Sequence, residues 1–172
     1  MRGVSKRTAH RGSRGAADAS RWTEDMIEMV DIRNRLSFAE VRDLVDQLEY
    51  PIEIRQAKTA QILKEYQEHP DQPIFGVELN GELVGFIGLR LQPPDAAIIR
   101  HIVVRRDHRG KGIGRQMILQ VCNTYLLGVI FAETDPDAAE FYRKVGFAVE
   151  SLEEKYPGTQ RFTCKLEFFH QL

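Results

Sequence analysis

Apolar residues recur along this chain with two different periods. In four segments they return every three or four positions, which predicts helices with one buried face, because an α-helix completes a turn in 3.6 residues. These segments are residues 38–48, 55–68, 113–126 and 136–145. In other segments the apolar residues alternate or run continuously, which predicts strands. Those are residues 26–32, 73–91, 96–105, 128–133 and 162–168.

Polar residues and glycines indicate where two of the helices begin or end. Ser37 and Glu40 have the spacing of a capping box, so the first helix is expected to begin at Ser37. Asp135 followed by Pro136 supplies an N-cap and a proline at the first helical position. Gly146 then predicts the end of that later helix.

The segment "PIFGVELNGELVGFIGLRL" predicts a β-hairpin. Asn80-Gly81 lies between its two β-rich halves, and this pair is typical of a two-residue type I′ turn. A turn of two residues would place Val77 opposite Val84 and Phe75 opposite Phe86. A second turn, "QPPD", leads to a third antiparallel strand that begins near residue 96.

The predicted order is one strand, two helices, three antiparallel strands, a helix, a strand, a helix and one or two strands. This order indicates an α+β fold with a mixed, mostly antiparallel central sheet of about six to seven strands, flanked by about four helices. The length of 172 residues and the 42% hydrophobic content suit one domain. We expect that domain to occupy residues 25–172, after a basic tail at residues 1–24.

The net charge of −1 hides an asymmetry. Residues 1–21 contain six basic residues and one acid, so this segment carries +5 and the remainder of the chain carries −6. An acidic body argues against a dedicated nucleic-acid binder, although a nucleic-acid-binding arm stays an alternative for the tail. The tail is poor in apolar residues, so we expect it to be flexible.

The sequence lacks the features of a membrane, secreted or metal-binding protein. No apolar run is long enough to cross a bilayer, and the first residues lack the apolar segment of a secretory signal, so we expect a cytoplasmic protein with no membrane partner. Cys122 and Cys164 have neither the spacing of a metal-ligand pair nor the number needed for a disulfide framework. They are expected to be core residues, and no metal is expected.

The stretch "DHRGKGIGRQM" follows the third antiparallel strand and precedes a helix. A glycine-rich turn of this kind directs backbone N–H groups toward one point, and it favours a phosphate as ligand. Cationic side chains surround it, namely Arg105, Arg106, Arg109 and Lys111. A solvated basic loop is the alternative for an isolated turn. The sequence contains neither the glycine spacing of a P-loop nor that of a dinucleotide-binding fingerprint, so both of these phosphate motifs are excluded.

Two motifs together carry a resemblance to a known family. Arg109, Gly112 and Gly114 match the [RQ]xxGx[GA] signature, and Asp135 and Tyr142 match a later segment of the GNAT superfamily of acyl-CoA-dependent N-acetyltransferases. The likeness extends from residue 96 to residue 147. It implies the acyl-CoA N-acyltransferase fold, acetyl-CoA as co-substrate, and transfer of the acetyl group to a primary amine by direct attack.

The resemblance also implies a set of site residues. The backbone of the glycine turn would bind the CoA pyrophosphate, and the end of the preceding strand would bind the pantetheine amides. The expected CoA-binding residues are Ile102, Val103, Val104, Arg109, Gly110, Lys111, Gly112, Ile113, Gly114, Arg115, Asp135 and Tyr142. The amide of Val104 would stabilise the oxyanion, and Tyr142 would protonate the departing sulfur.

The general base is the open part of this assignment. Many family members carry a glutamate on the fourth strand, where this chain has Ile98. His101 and Glu133 are the candidate bases, and an amine with a low pKa would need none.

The absent glutamate leaves a second hypothesis, a non-catalytic acyl-CoA-binding sensor or scaffold domain. The acceptor amine is a small molecule, a peptide or a protein that the sequence does not identify. A homodimer is left open.

Overall fold

The structure is a computed structural model that describes residues 27–154 and 157–168. The strands are β1 (Ile27–Asp31), β2 (Ile74–Leu79), β3 (Glu82–Gln92), β4 (Ala96–Val104), β5 (Val129–Thr134), β6 (Ala148–Ser151) and β7 (Phe162–Glu167). The helices are α1 (Ala39–Val45), α2 (Ile52–Glu68), α3 (Ile113–Thr124) and α4 (Pro136–Val145). The expected tail, residues 1–24, lies outside the described residues. Over the described ranges, no helix combines the length and the apolar character needed to cross a membrane.

The seven strands form one sheet in the order β1-β2-β3-β4-β5-β7-β6. Every neighbouring pair is antiparallel except β4 and β5, which are parallel. Helix α3 connects these two strands, as a parallel connection requires a crossover. The predicted α+β class with a mixed, mostly antiparallel sheet and four helices is confirmed.

Two apolar cores cover the two faces of the sheet. The first packs α3 and Tyr142 of α4 against one face, and its centre includes Ile87, Met117 and Ile130. The second packs α1 and α2 against the other face, around Tyr66 and Phe86. The two cysteines are free and buried, as expected.

The predicted hairpin turn is confirmed, but the predicted register is wrong. Asn80 and Gly81 have φ values of 52° and 80°, as a type I′ turn requires. A bulge then shifts the ladder, so that Val77 lies opposite Gly85. The bulge has a packing reason: it places Leu83 in the core beneath α1 and α2 while Val84 enters the opposite core.

The same bulge moves the aromatic residues out of the predicted cross-strand pair. Phe75 lies opposite Ile87 rather than Phe86, and Gly76 lies opposite Phe86. The side chains of Leu83 and Ile32 pack closely against Gly76, since a Cβ at this position would lie 2.5 Å from Leu83 and 2.8 Å from Ile32. The glycine therefore accommodates large side chains from both sides of the ladder.

A second bulge, in β4, changes which side chains of this strand face each side of the sheet. Gly88 lies opposite His101 and Leu89 lies opposite Ile99, which leaves Arg100 without a partner in β3. Because alternation is interrupted at Arg100, Ile99 packs in the core of α3 whereas Val103 packs in the core of α1 and α2.

The predicted capping box at Ser37 is wrong. Helix α1 begins at Ala39 with Phe38 as its N-cap, and no side chain bonds to its first turn. Glu40 instead accepts a hydrogen bond from Arg35, which also donates to Glu78 at 2.6 Å. The helix is also shorter than its apolar stripe, since it ends at Val45. By contrast, the Asp135 cap is confirmed, because its carboxylate accepts from the backbone N–H of Ala138 at 2.9 Å.

Candidate active site

A cleft opens where β4 and β5 separate. The two strands pair only between residues 96–99 of β4 and residues 129–132 of β5. Beyond these pairs β4 follows β3 and β5 follows β7. The sheet is therefore split from Arg100 on one side and Glu133 on the other, and backbone groups that a neighbouring strand would otherwise bind are available in the gap.

The ladder shows which backbone groups of β4 face this cleft. The N–H of Arg105 donates to the carbonyl of Val84 at 2.8 Å, so Val104 belongs to a non-hydrogen-bonded pair with Gly85. The N–H and C=O of Val104 consequently point away from β3. The side chain of Arg109 confirms this direction, since its Nε donates to the Val104 carbonyl at 3.0 Å.

Alternation along the strand extends the same argument to the two preceding residues. Ile102, two positions before Val104, also directs its backbone groups into the cleft. Val103 directs its backbone groups toward β3, where its ladder partner is Phe86. Of Ile102, Val103 and Val104, which were expected to bind the pantetheine arm through their backbone, Ile102 and Val104 direct their backbone groups into the cleft. Val103 does not, and its side chain packs in the core of α1 and α2.

The glycine turn after β4 has an open surface. Gly110 and Gly112 have φ values of 75° and 80°, and no atom lies within 4 Å of the position of a Cβ at either one. The first backbone bond of α3 runs from Gln116 N to Gly112 O, so the N–H groups of residues 113–115 precede it and have no acceptor inside the helix. This arrangement fits a phosphate group at the positive end of α3.

Gly114 is a glycine for a different reason. A Cβ at this position would lie 2.9 Å from the ring of Phe141 on α4. The two helices approach closely there, so the absence of a side chain has a packing reason. The glycines of the signature therefore combine an open turn with a packing contact.

The cations around the turn differ in their partners. Arg105 forms ion pairs with Glu82 and with Asp107. Arg106, Lys111 and Arg115 are exposed, and in the described part of the chain no acid forms an ion pair with them. Lys111 and Arg115 flank the start of α3, so a phosphate-bearing ligand there would meet them without displacing another anion.

Tyr142 lies on α4 and is buried, with its ring packed edge-on against Phe141 and Phe147 at centroid distances of 5.1 and 5.2 Å. Burial raises the pKa of its phenol well above the ordinary value, and the nearby thiol of Cys164 and carboxylate of Asp135 raise it further. Tyr142 is therefore protonated at every physiological pH, and it is available as a donor.

His101 forms a buried pair with Tyr66 of α2. The Tyr66 hydroxyl lies 2.7 Å from Nδ1 of His101. Gly88 makes this contact possible, because a Cβ on Gly88 would overlap the hydroxyl of Tyr66. Burial, with a smaller effect from Arg100, lowers the pKa of His101 to about 4. The imidazole is therefore neutral near pH 7.

The pair also has a preferred tautomer. Tyr66 is fully buried and burial raises its pKa, so the hydroxyl keeps its proton. Among the described residues Nδ1 of His101 is the hydrogen-bond partner of this buried hydroxyl, so the hydroxyl donates a hydrogen bond to Nδ1. The remaining proton of His101 is then on Nε2. Tyr66 belongs to the segment 55–68, for which the apolar pattern predicts only a helix with one buried face. In the sequence, the only local indication of this contact is Gly88, whose missing side chain leaves room for a large residue beside His101.

Glu133 lies on the same side of the sheet as His101. Ala132 packs in the core of α3 and α4, so alternation directs Glu133 toward the side of α1 and α2, where it is exposed. His101 and Glu133 thus flank the opening of the cleft from its two edges.

A second cavity, of about 620 Å³, adjoins the end of β4. We call it the arginine pocket. It is lined by Asp46, Gln47, Leu48, Glu49, Arg55, Arg105, Arg106, Asp107 and Arg109. No local sequence pattern predicts this pocket, because its two walls are about 50 positions apart along the chain.

Comparison with known proteins agrees with this geometry. Residues 38–147 match the model of the acetyltransferase (GNAT) family. The chain is 30% identical over 141 residues to streptothricin acetyltransferase from Escherichia coli, covering 76% of this chain and 80% of that protein. It is 36% identical over 93 residues to N-alpha-acetyltransferase RimI from Mycobacterium tuberculosis, covering 51% of this chain and 59% of RimI.

A solved structure is also similar. It is that of a candidate streptothricin acetyltransferase from Bacillus anthracis in complex with acetyl coenzyme A, which is 27% identical with a TM-score of 0.54. The match covers 62% of this chain and 68% of the other.

Proposed function

Because this chain belongs to the GNAT family of acetyltransferases, we propose that its reaction takes place in the cleft between β4 and β5. The protein is an acyl-CoA-dependent N-acetyltransferase that transfers an acetyl group from acetyl-CoA to an amine. The observation that supports the cleft is the separation of the two parallel strands beside an open glycine turn. The roles of individual residues are part of the proposal.

The glycine turn holds the phosphates of acetyl-CoA. The N–H groups of residues 113–115 and the open sides of Gly110 and Gly112 support this role. Lys111 and Arg115 add charge without an ion pair to break. The pantetheine arm then lies along β4, where the backbone groups of Ile102 and Val104 replace those of a neighbouring strand.

Two groups act on the reacting thioester. The N–H of Val104 faces the cleft and stabilises the negative charge that develops on the carbonyl oxygen. Tyr142 donates its proton toward the sulfur as the C–S bond breaks and the N–C bond forms. Its raised pKa ensures that the proton is present before the reaction starts. Asp135 acts indirectly, as the cap that fixes the start of α4.

Glu133 is the better candidate for the general base. Burial opposes the positive charge that His101 would acquire with a proton, whereas Glu133 is exposed at the edge of the cleft. The Nδ1 atom of His101 is also engaged by Tyr66. We therefore assign Glu133 to proton removal, directly or through a water, and His101 to the shape of the cleft edge.

The test is turnover of acetyl-CoA with a panel of primary amines, measured by release of free thiol. Turnover by the wild-type protein together with a large loss in Tyr142→Phe supports the proposal. If CoA binds tightly and no amine is acetylated, the sensor or scaffold hypothesis replaces it. A cytoplasmic location, a homodimer and the role of residues 1–24 stay predictions from the sequence.

A further inference from the structure

The arginine pocket begins directly beside the proposed reaction centre. Arg105 follows Val104, whose N–H faces the cleft, so one wall of the pocket starts one residue, or about 3.8 Å, along the chain. The facing wall comes from the loop between α1 and α2 and from the first turn of α2. An acceptor that places its amine at the cleft therefore extends the rest of its structure toward this pocket.

Two arginines of the pocket are held in place without losing their charge. Arg55 donates from Nη2 to the carbonyl of Tyr50 at 3.1 Å, and Arg109 donates from Nε to the carbonyl of Val104 at 3.0 Å. A backbone carbonyl orients a guanidinium group but does not neutralise it. Each side chain therefore keeps N–H groups free for a carboxylate or another anion.

The remaining charges of the pocket nearly balance. Arg105 and Asp107 pair with each other at 3.6 Å. Arg106 is the fourth arginine of the lining, and Asp46 and Glu49 lie on the same wall as Arg55. Each wall of the pocket thus presents both signs of charge. A dication is repelled by the arginines, and a molecule with both signs of charge matches the lining.

We propose that the arginine pocket binds the carboxylate of the acceptor, and that the acceptor is therefore a zwitterionic amine. This inference rests on the proposed function, since it names the substrate class of the same site. The carboxylate contacts Arg55, Arg106 and Arg109, and the acids Asp46 and Glu49 attract the ammonium group as the molecule enters. The alternative source of the same chemistry is a phosphate of CoA itself.

Matched acceptors test the proposal. Glycine, β-alanine and γ-aminobutyrate are compared with their carboxamides, which keep the amine and lose the negative charge, and with putrescine, a dication. The free acid of at least one pair should be preferred by about tenfold or more in kcat/KM, because a hydrogen bond to a charged group contributes at least that much. Carboxamides or putrescine that react as well as the acids would overturn the proposal.

Variants then assign the effect to the pocket. Arg106→Gln removes a charge that forms no ion pair among the described residues, and it should reduce the acid preference several-fold with the KM for acetyl-CoA unchanged. Arg55→Gln should act in the same way, and Arg55→Lys should restore part of the preference. Arg42→Gln is the matched control, because Arg42 is exposed on α1 outside the pocket. A raised KM for acetyl-CoA with an intact acid preference would assign the arginines to CoA instead and overturn the proposal.

Calorimetry separates this inference from the proposed function. The acids and their carboxamides are titrated into the protein saturated with CoA, which requires no turnover. If no amine is acetylated, the proposed function is wrong, but tighter binding of the acids and its loss in Arg106→Gln would still support the pocket. Equal binding of acids and carboxamides would overturn the inference even in an active enzyme.

Discussion

Lowering the pH from 7 to 5 should destabilise the fold through His101. In the folded protein the pKa of this histidine is about 4, because burial disfavours its charged form. In the unfolded chain the pKa returns to about 6.5. As the pH falls below 6.5 the unfolded chain binds a proton that the folded protein does not bind until about pH 4. The contribution of His101 to stability is therefore lost as the pH falls through this window.

The size of the effect follows from the two pKa values. At pH 7 the penalty from protonation of the unfolded chain is about 0.2 kcal/mol, and at pH 5 it is about 2 kcal/mol. The difference of about 2 kcal/mol is a large part of the free energy of unfolding of a small domain. Arg100 also favours the neutral form of the ring, and the buried hydroxyl of Tyr66 contacts its Nδ1.

The measurement is urea unfolding followed by circular dichroism at pH 7 and pH 5. His101→Asn is the informative variant, because its side-chain oxygen can accept the hydrogen bond of Tyr66 and does not titrate. Carboxylates elsewhere titrate in both proteins, so the difference between the two proteins isolates His101. His69→Asn, at the exposed end of α2, is the matched control.

The wild-type protein should lose about 2 kcal/mol more than His101→Asn between the two pH values. A loss that agrees within about 0.5 kcal/mol in the two proteins would refute the reasoning, since it would mean that His101 is protonated equally in the folded and unfolded chain. The surroundings of His101 in the folded protein would then not stabilise its neutral form.

Three further predictions concern the reaction. Tyr142→Phe should lower kcat by about a hundredfold with little change in the KM for acetyl-CoA, and an unchanged kcat would remove Tyr142 from the reaction. Gly112→Ala should raise the KM for acetyl-CoA and cost about 1 kcal/mol of backbone strain, whereas Gly114→Ala should mainly lower the Tm because its Cβ meets Phe141. Steady-state kinetics and thermal unfolding measure the two effects, and a reversed pattern would contradict the different roles of the two glycines. Glu133→Gln should reduce acceptor kcat/KM more at pH 7 than at pH 9, where more of the amine is already neutral, and equal losses at both pH values would contradict a base.

Much of the fold was predictable because its signals are local. The Asn80-Gly81 turn, the Asp135 cap and the end of α4 at Gly146 are each set by a few neighbouring residues, and each was confirmed. Ser37 shows the limit of this approach. Its capping spacing is local, but Arg35 bonds Glu40 and also Glu78 on β2, so a distant residue helps to decide which partner Glu40 takes.

The candidate site divides in the same way. The positions of the glycine turn and of Tyr142 were predictable because their motifs are contiguous and resemble a family to which the chain belongs. The contact between His101 and Tyr66, the packing role of Gly114 and the arginine pocket were not, because each joins residues from separate elements. A helix face predicts that Tyr66 is buried, but not which ring its hydroxyl meets.

The sequence by itself determined the order of elements, the Asn80-Gly81 turn, the Asp135 cap and the position of the glycine turn after β4, since backbone propensity and hydrophobic period act over a few residues. Only the tertiary structure decided the two bulges, because each depends on how side chains fill the cores on opposite faces of the sheet. The bulge at Arg100 sends Ile99 and Val103 to opposite cores. That choice places His101 against Tyr66, and it is made by packing between distant segments rather than by any residue of β4 alone.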